Sequence, residues 1–566
     1  MKTSWGHRTL LFVGIMTLLR LAVSPTFGLG VDEAHYFLYA FYPDWSYVDH
    51  PPLVGWVHWP LYKLFGTSEF LVRLPAIALF AATSLFLYQW VVSFSRSPQV
   101  AFLSVVAVNS SFILNAMSVM LLPDCFLLVL VFPLMSTIRK IAAAERSQAR
   151  TRDFLRLGFL LGLAGLAKYT AILFVPPLII YLFLKKRYDL LYSPGMILAA
   201  GVALVMISPV LLWNIGNDFI SFRYQGGHVL AATPPSVKYF LVSLLAQFGA
   251  YSPLLFVVAF YGVTRVWKTA DDRLRLAALF GVTILLFFLY SSLYERTLPH
   301  WPSLFYLLFI PVGAFFLLTS GNRKQRNFFY FSVGFSLTLT LFLYTALPGK
   351  WFTFPDYQSP FRDIVGYEVI AREADALLRQ GPPGGAGTAR IDAGHKREER
   401  PPIAGDHATP PAGQGAAAGG RSGQNGAAGL RSETGDVHSP HPAVLPDGQG
   451  SGEGMGKAVT GAAPAPRRAL AVTNWTMGSR MIYYSLPYGR EVFVLDNRPD
   501  QFDFWQRHDP KGYDLLFVNT HFHRPDIAAA YRCDACVPVK EMDIVLNGGK
   551  VDSFAFVWCR NYGGMK

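Results

Sequence analysis

Apolar segments long enough to cross a bilayer recur from residue 10 to residue 347, and the short connectors between them hold most of the Lys and Arg. A span needs about 20 residues, because a rise of about 1.5 Å per residue must cover roughly 30 Å of hydrocarbon. With 52% hydrophobic and 15% aromatic residues in 566, and a mean hydropathy of +0.30, the chain carries more apolar surface than a soluble fold of this length buries. It reads as an α-helical polytopic membrane protein. Residues 10–29 are uncharged apart from Arg20. A cleavable signal peptide competes for them, but the apolar segments that follow favour a retained helix.

The net charge of +13 and pI near 9.4 would suit a polyanionic partner if the basic residues formed a patch. They lie instead in connectors 2–8, 139–156, 185–187, 265–275 and 323–326, the distribution of cytoplasmic loops, so no nucleic acid partner is expected. Keeping these connectors on one side predicts spans near 10–29, 69–93, 100–119 and 121–138. Two short helices in 157–184 then meet near Lys168, and further spans fall near 190–213, 237–262, 276–293, 301–319 and 328–347. That makes about 11 spans with the C-terminus outside. The outer loops include 30–68, 214–236 and 294–300. A lysine at an outer break costs free energy unless paired or wet, which marks Lys168 as a functional candidate; the plainer reading is a snorkelling side chain on a tilted span.

Composition divides the chain into a membrane domain over 1–347, a linker with a short helix over 348–380, a Gly, Ala, Pro and Ser rich tract over 381–466, and an ordered region over 467–566. The tract cannot bury enough apolar surface to fold and is read as disordered. The last region alternates strand-like and helix-like runs and predicts a small α/β domain. Three of the four cysteines fall there. Cys533-Asp-Ala-Cys536 is open between a redox motif, half a zinc site and a structural disulfide; the structural reading is preferred because no βαβ unit is expected before it and no second CxxC exists. Asn474-Trp-Thr476 matches a glycosylation sequon only briefly.

The chemistry-bearing residues concentrate in 30–52, GVDEAHYFLYAFYPDWSYVDHPP. A short helix is expected from Asp32 to Tyr42, ended by Pro43, and a second over 53–65, rich in Trp56, Trp59 and Tyr62, which suit the headgroup boundary. Two such helices lying on the membrane frame a groove for a lipid, with Asp32 and Glu33 opening the first and Asp49 and His50 leading into the second. The plain alternative is that Asp32 caps its helix and Glu33 complements the first turn.

Together with Arg73-Leu74-Pro75, Asp124, and Gly162-Leu163-Ala164-Gly165-Leu166-Ala167-Lys168, these residues resemble the bacterial phospholipid-carrier-dependent glycosyltransferases, which include the lipid A aminoarabinose transferase and the protein mannosyltransferases. Trp213-Asn214, the run Ser221-Phe222-Arg223-Tyr224-Gln225 and Pro299-His300-Trp301-Pro302 also look like that family's outer loops. The resemblance covers roughly residues 8–347. It implies a GT-C fold with a periplasmic active site in the inner membrane, a sugar donor on a polyprenyl phosphate, and a glycan, lipid or protein acceptor. By the same match Asp32 is the expected base, with Glu33 its neighbour. His50 stands where a basic residue often precedes the double proline, and Tyr169 where a glycine is common.

Sugar transfer from a phosphate needs a base for the acceptor's proton and positive charge for the departing phosphate. A strong general acid is unnecessary, because a phosphate with a second pKa of about 6 is already a good leaving group. Lys168 and Arg223 are expected to hold the phosphate, aided by His50 and His300, while Asp49, Asp124 and Arg73 are expected around the substrate. Asp124 is open between a sugar or cation partner and a helix cap. No cofactor is assigned: a divalent metal is compatible with the acids, but no compact ligand set is visible. The competing functions are a polytopic transporter or lipid flippase, disfavoured by acids clustered at one face and by the lack of an internal repeat, and a membrane-anchored protein whose C-terminal domain works alone.

Overall fold

A computed structural model describes residues 4–144, 150–229, 234–383, 467–497, 499–506 and 508–566. Met1–Pro383 and Pro466–Lys566 form one compact unit. The tract expected to be disordered lies almost wholly outside the described residues.

The membrane part is helical throughout. Its helices are α1 (Ser4–Val23), α2 (Val31–Phe41), α3 (Leu53–Phe65), α4 (Glu69–Ser95), α5 (Pro98–Asn109), α6 (Phe112–Met117), α7 (Asp124–Ala143) and α8 (Thr151–Ala167). There follow α9 (Val175–Leu184), α10 (Pro194–Gly216), α11 (Ile220–Val229), α12 (Val237–Ala250), α13 (Pro253–Val266), α14 (Asp272–Ser291), α15 (Ser303–Thr319) and α16 (Arg323–Gly349). Several starts are written in the sequence. Ser68, Ser97, Ser193 and Ser236 each accept a backbone N–H of the first turn, and proline follows the cap in α5 and α10, where its missing N–H costs nothing.

Among the described residues six helices are long and apolar enough to cross a membrane: α1, α4, α7, α10, α14 and α16. A seventh span exists if the bent pair α12–α13 counts as one. The spans expected near 100–119 and 301–319 and the second of the two in 157–184 fall on shorter apolar helices. The single helix expected over 237–262 bends by 108° between α12 and α13, where Ser252 has φ 66° and Pro253 opens the next helix. The helix expected over 100–119 stops at Asn109 and restarts as α6.

Helix α8 packs on α10 through Gly158, Gly162 and Gly165. A Cβ at these positions would lie 2.3 Å from the Ala199 carbonyl oxygen, 2.7 Å from Met206 Cβ and 2.8 Å from Ile207 Cγ2. Only a residue without a side chain allows that approach. The helix ends at Lys168, whose extended backbone (φ −154°, ψ 140°) passes into a 3-10 turn over Tyr169–Phe174. The break predicted near Lys168 is present.

Beyond the membrane part, α17 (Tyr367–Gln380) leads to a five-stranded sheet. Its strands are β1 (Arg468–Val472), β2 (Val492–Val494), β3 (Asp514–Thr520), β4 (Ala535–Leu546) and β5 (Gly549–Arg560), in the order β2-β1-β3-β5-β4. β1 runs parallel to β2 and β3, while β5 runs antiparallel to β3 and β4. Helices α18 (Trp475–Ser485) and α19 (Gln501–Trp505) lie in the crossovers. A βαβ unit therefore does precede the CxxC, contrary to expectation. The cysteines serve a structural disulfide, though not one between Cys533 and Cys536: Cys536 pairs with Cys559, directly opposite it across β4 and β5, and Cys533 is a free thiol. Asn474 caps α18, its Oδ1 accepting from Met477 N at 2.9 Å and Thr476 Oγ1 at 2.7 Å.

Candidate active site

Helix α2 carries two functional faces. Asp32, His35, Tyr36 and Tyr39 follow the i, i+3, i+4, i+7 pattern of one side, and Glu33 and Phe37 belong to the other. The cap of the helix is Gly30, so Asp32 is not the cap. Glu33 takes the capping work instead, accepting Gly30 N–H at 2.9 Å.

Glu33 is also gripped by Arg73 of α4, with Nε on Oε1 at 2.8 Å and Nη2 on Oε2 at 2.9 Å. Arg73 spends its remaining donors on the carbonyls of Ser24, Phe27 and Gly28, and its guanidinium lies over the Phe27 ring. The two side chains are 0% and 1% exposed. Glu33 and Arg73, expected at the reaction and around the substrate, are both closed off, and they fix the chain between α1 and α2. Asp32 differs from its neighbour. It is half-buried, and no hydrogen bond or ion pair reaches its carboxylate among the described residues.

Asp124 opens α7 directly after Pro123. Its two oxygens take Lys168 Nζ at 2.8 and 2.7 Å, so the lysine is paired rather than lone, and Asp124 orients a cation rather than capping a helix. Both groups are buried.

The loop between α2 and α3 is held on every side. Asp49 receives Tyr39 O–H on Oδ1 at 2.5 Å and pairs through Oδ2 with His35 Nε2 at 3.0 Å. Gln225 of α11 donates to the Asp49 carbonyl at 2.7 Å, and Ser221 Oγ donates to the Tyr47 carbonyl at 2.9 Å. Ser46 and Tyr169 hydroxyls stand 3.3 Å apart, which brings the loop to the residue after Lys168. With both carboxylate oxygens engaged, Asp49 is a scaffold for its neighbour His50, which stacks on Tyr36 at 5.3 Å.

Electrostatics tie these groups together. Burial holds the His300 imidazole below its ordinary pKa; Lys168 and His50 push the same way, against Asp124 and Asp32. His50 is also lowered, by burial first and by Lys168, against Asp49 and Asp124. The structure thus gathers Asp32, His50, Asp124, Lys168 and His300 in one neighbourhood. Arg223 lies exposed on α11 and joins no ion pair among the described residues. Around Asp32 no three carboxylate, imidazole or thiol groups share a metal's reach; among the described residues only Cys533, Cys536 and Cys559 do, and two of these form the disulfide.

Sequence reasoning missed His35, Tyr36 and Tyr39. The helical spacing from Asp32 was the available signal. It also missed the C-terminal contacts to this loop, for which local sequence holds no signal.

Residues 49–213 match the family model described as dolichyl-phosphate-mannose-protein mannosyltransferase. The lipid A galacturonosyltransferase RgtD of Rhizobium johnstonii is 23% identical over 359 residues, covering 62% of this chain and 73% of that protein. ArnT from Cupriavidus metallidurans, solved with undecaprenyl phosphate, is similar at 17% identity and a TM-score of 0.47, over 67% of this chain and 73% of ArnT. The Pmt1-Pmt2 protein O-mannosyltransferase complex of S. cerevisiae, bound to the sugar donor, gives 19% identity and a TM-score of 0.30, over 40% of this chain and 34% of that one. The chain is a membrane glycosyltransferase.

Proposed function

We propose that the chain transfers a glycosyl group from a polyprenyl-phosphate-linked sugar to a cell-envelope acceptor, at the periplasmic face of the inner membrane and with inversion at C1. The observation that carries this reading is the contrast between adjacent carboxylates: Glu33 is consumed by Arg73 while Asp32 is left unbonded among the described residues, in the electrostatic neighbourhood of Lys168 and His300. In the proposed step the acceptor hydroxyl oxygen attacks C1 opposite the phosphate and Asp32 takes its proton. The bond from C1 to the phosphate oxygen breaks, and its electron pair leaves with the polyprenyl phosphate.

Lys168 receives the phosphate. An ammonium has three donors, and two go to Asp124. Arg223, exposed on the helix whose Gln225 holds Asp49, supplies a second cation, and His50 and His300 flank the groove. Both histidines are held toward their neutral forms, so they act as neutral hydrogen-bond partners until a phosphate arrives. The named substrate of RgtD favours a lipid A type glycolipid over a glycan or protein as acceptor. A Cys536–Cys559 disulfide suits a domain in an oxidising compartment, which supports the periplasmic placement.

The test is turnover of lipid-linked sugar by membranes carrying Asp32→Asn. A loss of at least roughly 100-fold is expected of a missing general base, and near wild-type turnover rejects the assignment.

A further inference from the structure

His35 lies three residues after Asp32 and is 6% exposed. The rings of Tyr36, Tyr39, Trp475, Phe502 and Trp505 surround it with centroids 5.4 to 5.8 Å away. Three of these five belong to the C-terminal domain. Both ring nitrogens are occupied: Nε2 meets Asp49 Oδ2 at 3.0 Å, and Nδ1 meets Ser479 Oγ at 3.3 Å. Ser479 Oγ also reaches the Trp475 carbonyl at 3.1 Å, and with its hydrogen directed there it accepts from His35. An imidazole with an acceptor on each nitrogen is satisfied only as the doubly protonated cation.

The order Ser479–His35–Asp49 resembles a hydrolytic triad, but the roles of the nitrogens are reversed relative to that arrangement, and Ser479 is fully buried. The chain of bonds is mechanical. Two further contacts from the same domain bracket it: the Tyr484 hydroxyl oxygen accepts Leu29 N–H at 2.8 Å, and Gln501 Oε1 accepts Val48 N–H at 2.7 Å. The C-terminal domain therefore grips the loop just before Asp32, at His35, and just before Asp49 and His50.

We propose that His35, bonded as an imidazolium to Asp49 and Ser479, is a positioning residue through which docking of the C-terminal domain sets His50 and the donor-phosphate groove. This rests on the reading of that groove as the donor site. The acids facing His35 are Asp49 from the loop, Asp32 from its own helix and Asp500 at the start of α19; burial opposes its charge and these carboxylates outweigh that, so the pKa is raised. The cation's contribution is complete below the ordinary imidazole range and is lost as pH rises through the raised value.

In the full-length enzyme, His35→Ala is expected to raise the donor KM by about 10-fold or more, the effect of losing a hydrogen bond to a charged group, with the acceptor KM unchanged. His35→Gln keeps one donor for Asp49 without titrating, so it should restore most donor binding and abolish the alkaline rise in donor KM. An unchanged donor KM, equal changes in both KM values, or an alkaline rise that survives His35→Gln overturns the proposal. Gln501→Ala loosens the same loop without touching His35 and should shift donor KM in the same direction; a shift of acceptor KM alone counts against it.

A substrate-free measurement separates this from the reading of the reaction. Amide exchange, corrected for intrinsic rates, should show residues 43–52 and 475–485 losing protection together as pH rises, and independent loss refutes the coupling. If Asp32→Asn stays active while this coupling holds, the base assignment fails and His35's role stands.

Discussion

Two buried ion pairs of the same chemistry do opposite things. In Glu33–Arg73 all five guanidinium donors are used, and both side chains are sealed. In Asp124–Lys168 the carboxylate takes two of the ammonium's three donors, so a hydrogen-bond site remains for an incoming oxygen. Saturation marks a joint in the frame, and spare capacity suits the donor-phosphate role proposed for Lys168. The choice of cation fits: Arg matches a carboxylate with a planar fork, and Lys offers a point charge on a flexible stem.

The largest expected effect comes from breaking the saturated pair. Glu33→Gln leaves Arg73 uncompensated and should cost about 3–5 kcal/mol of stability, read by denaturant or thermal unfolding in detergent. A fully stable Glu33→Gln enzyme with only a kinetic defect would erase the distinction. Lys168→Met tests the other pair. Donor KM should rise roughly 10- to 100-fold, the range expected from a charged hydrogen bond. Adding Asp124→Leu should recover stability but not donor binding, whereas adding Arg73→Met to Glu33→Gln should recover only part of the stability, because the carbonyls of Ser24, Phe27 and Gly28 lose their donor.

A third acid, with no cation bonded to it among the described residues, sharpens the contrast. Burial, then Asp496, raises Asp500 to about 7. An acid raised on folding costs nothing while protonated, and its penalty grows as pH climbs from the unfolded value of about 4. Asp500→Asn keeps an amide oxygen for the cap that Phe502 N–H uses at 2.7 Å. It should therefore stabilise the protein at pH 8 by on the order of 1–3 kcal/mol and bring no gain near pH 4, measured as the difference in unfolding free energy.

Much of the site's outline was legible because it is local. Pro43 and Pro51-Pro52 delimit the loop between α2 and α3, apolar spacing defines the two helices, and the positive connectors force the turn at Lys168. What was not legible depends on contacts distant in sequence. Asp32 and Glu33 are neighbours about 100° apart around one helix, and only the position of α4 decides which of them Arg73 takes. Cys533 and Cys536 look like partners by spacing, yet strand register puts Cys559 opposite Cys536. His35 was within reach of helical periodicity, but its second partner, Ser479, lies 444 residues away.

The bare glycine seam between α8 and α10 has a mechanical consequence for the lysine at its end. With main chain against neighbouring helix, there is no cushion of rotamers to absorb a change, so even a methyl group added at Gly162 must be passed along the rod to its tip. The seam thereby aims the backbone of Lys168 while Asp124 holds its ammonium, and inherited variation in that seam can shift the ammonium without altering any residue that touches it.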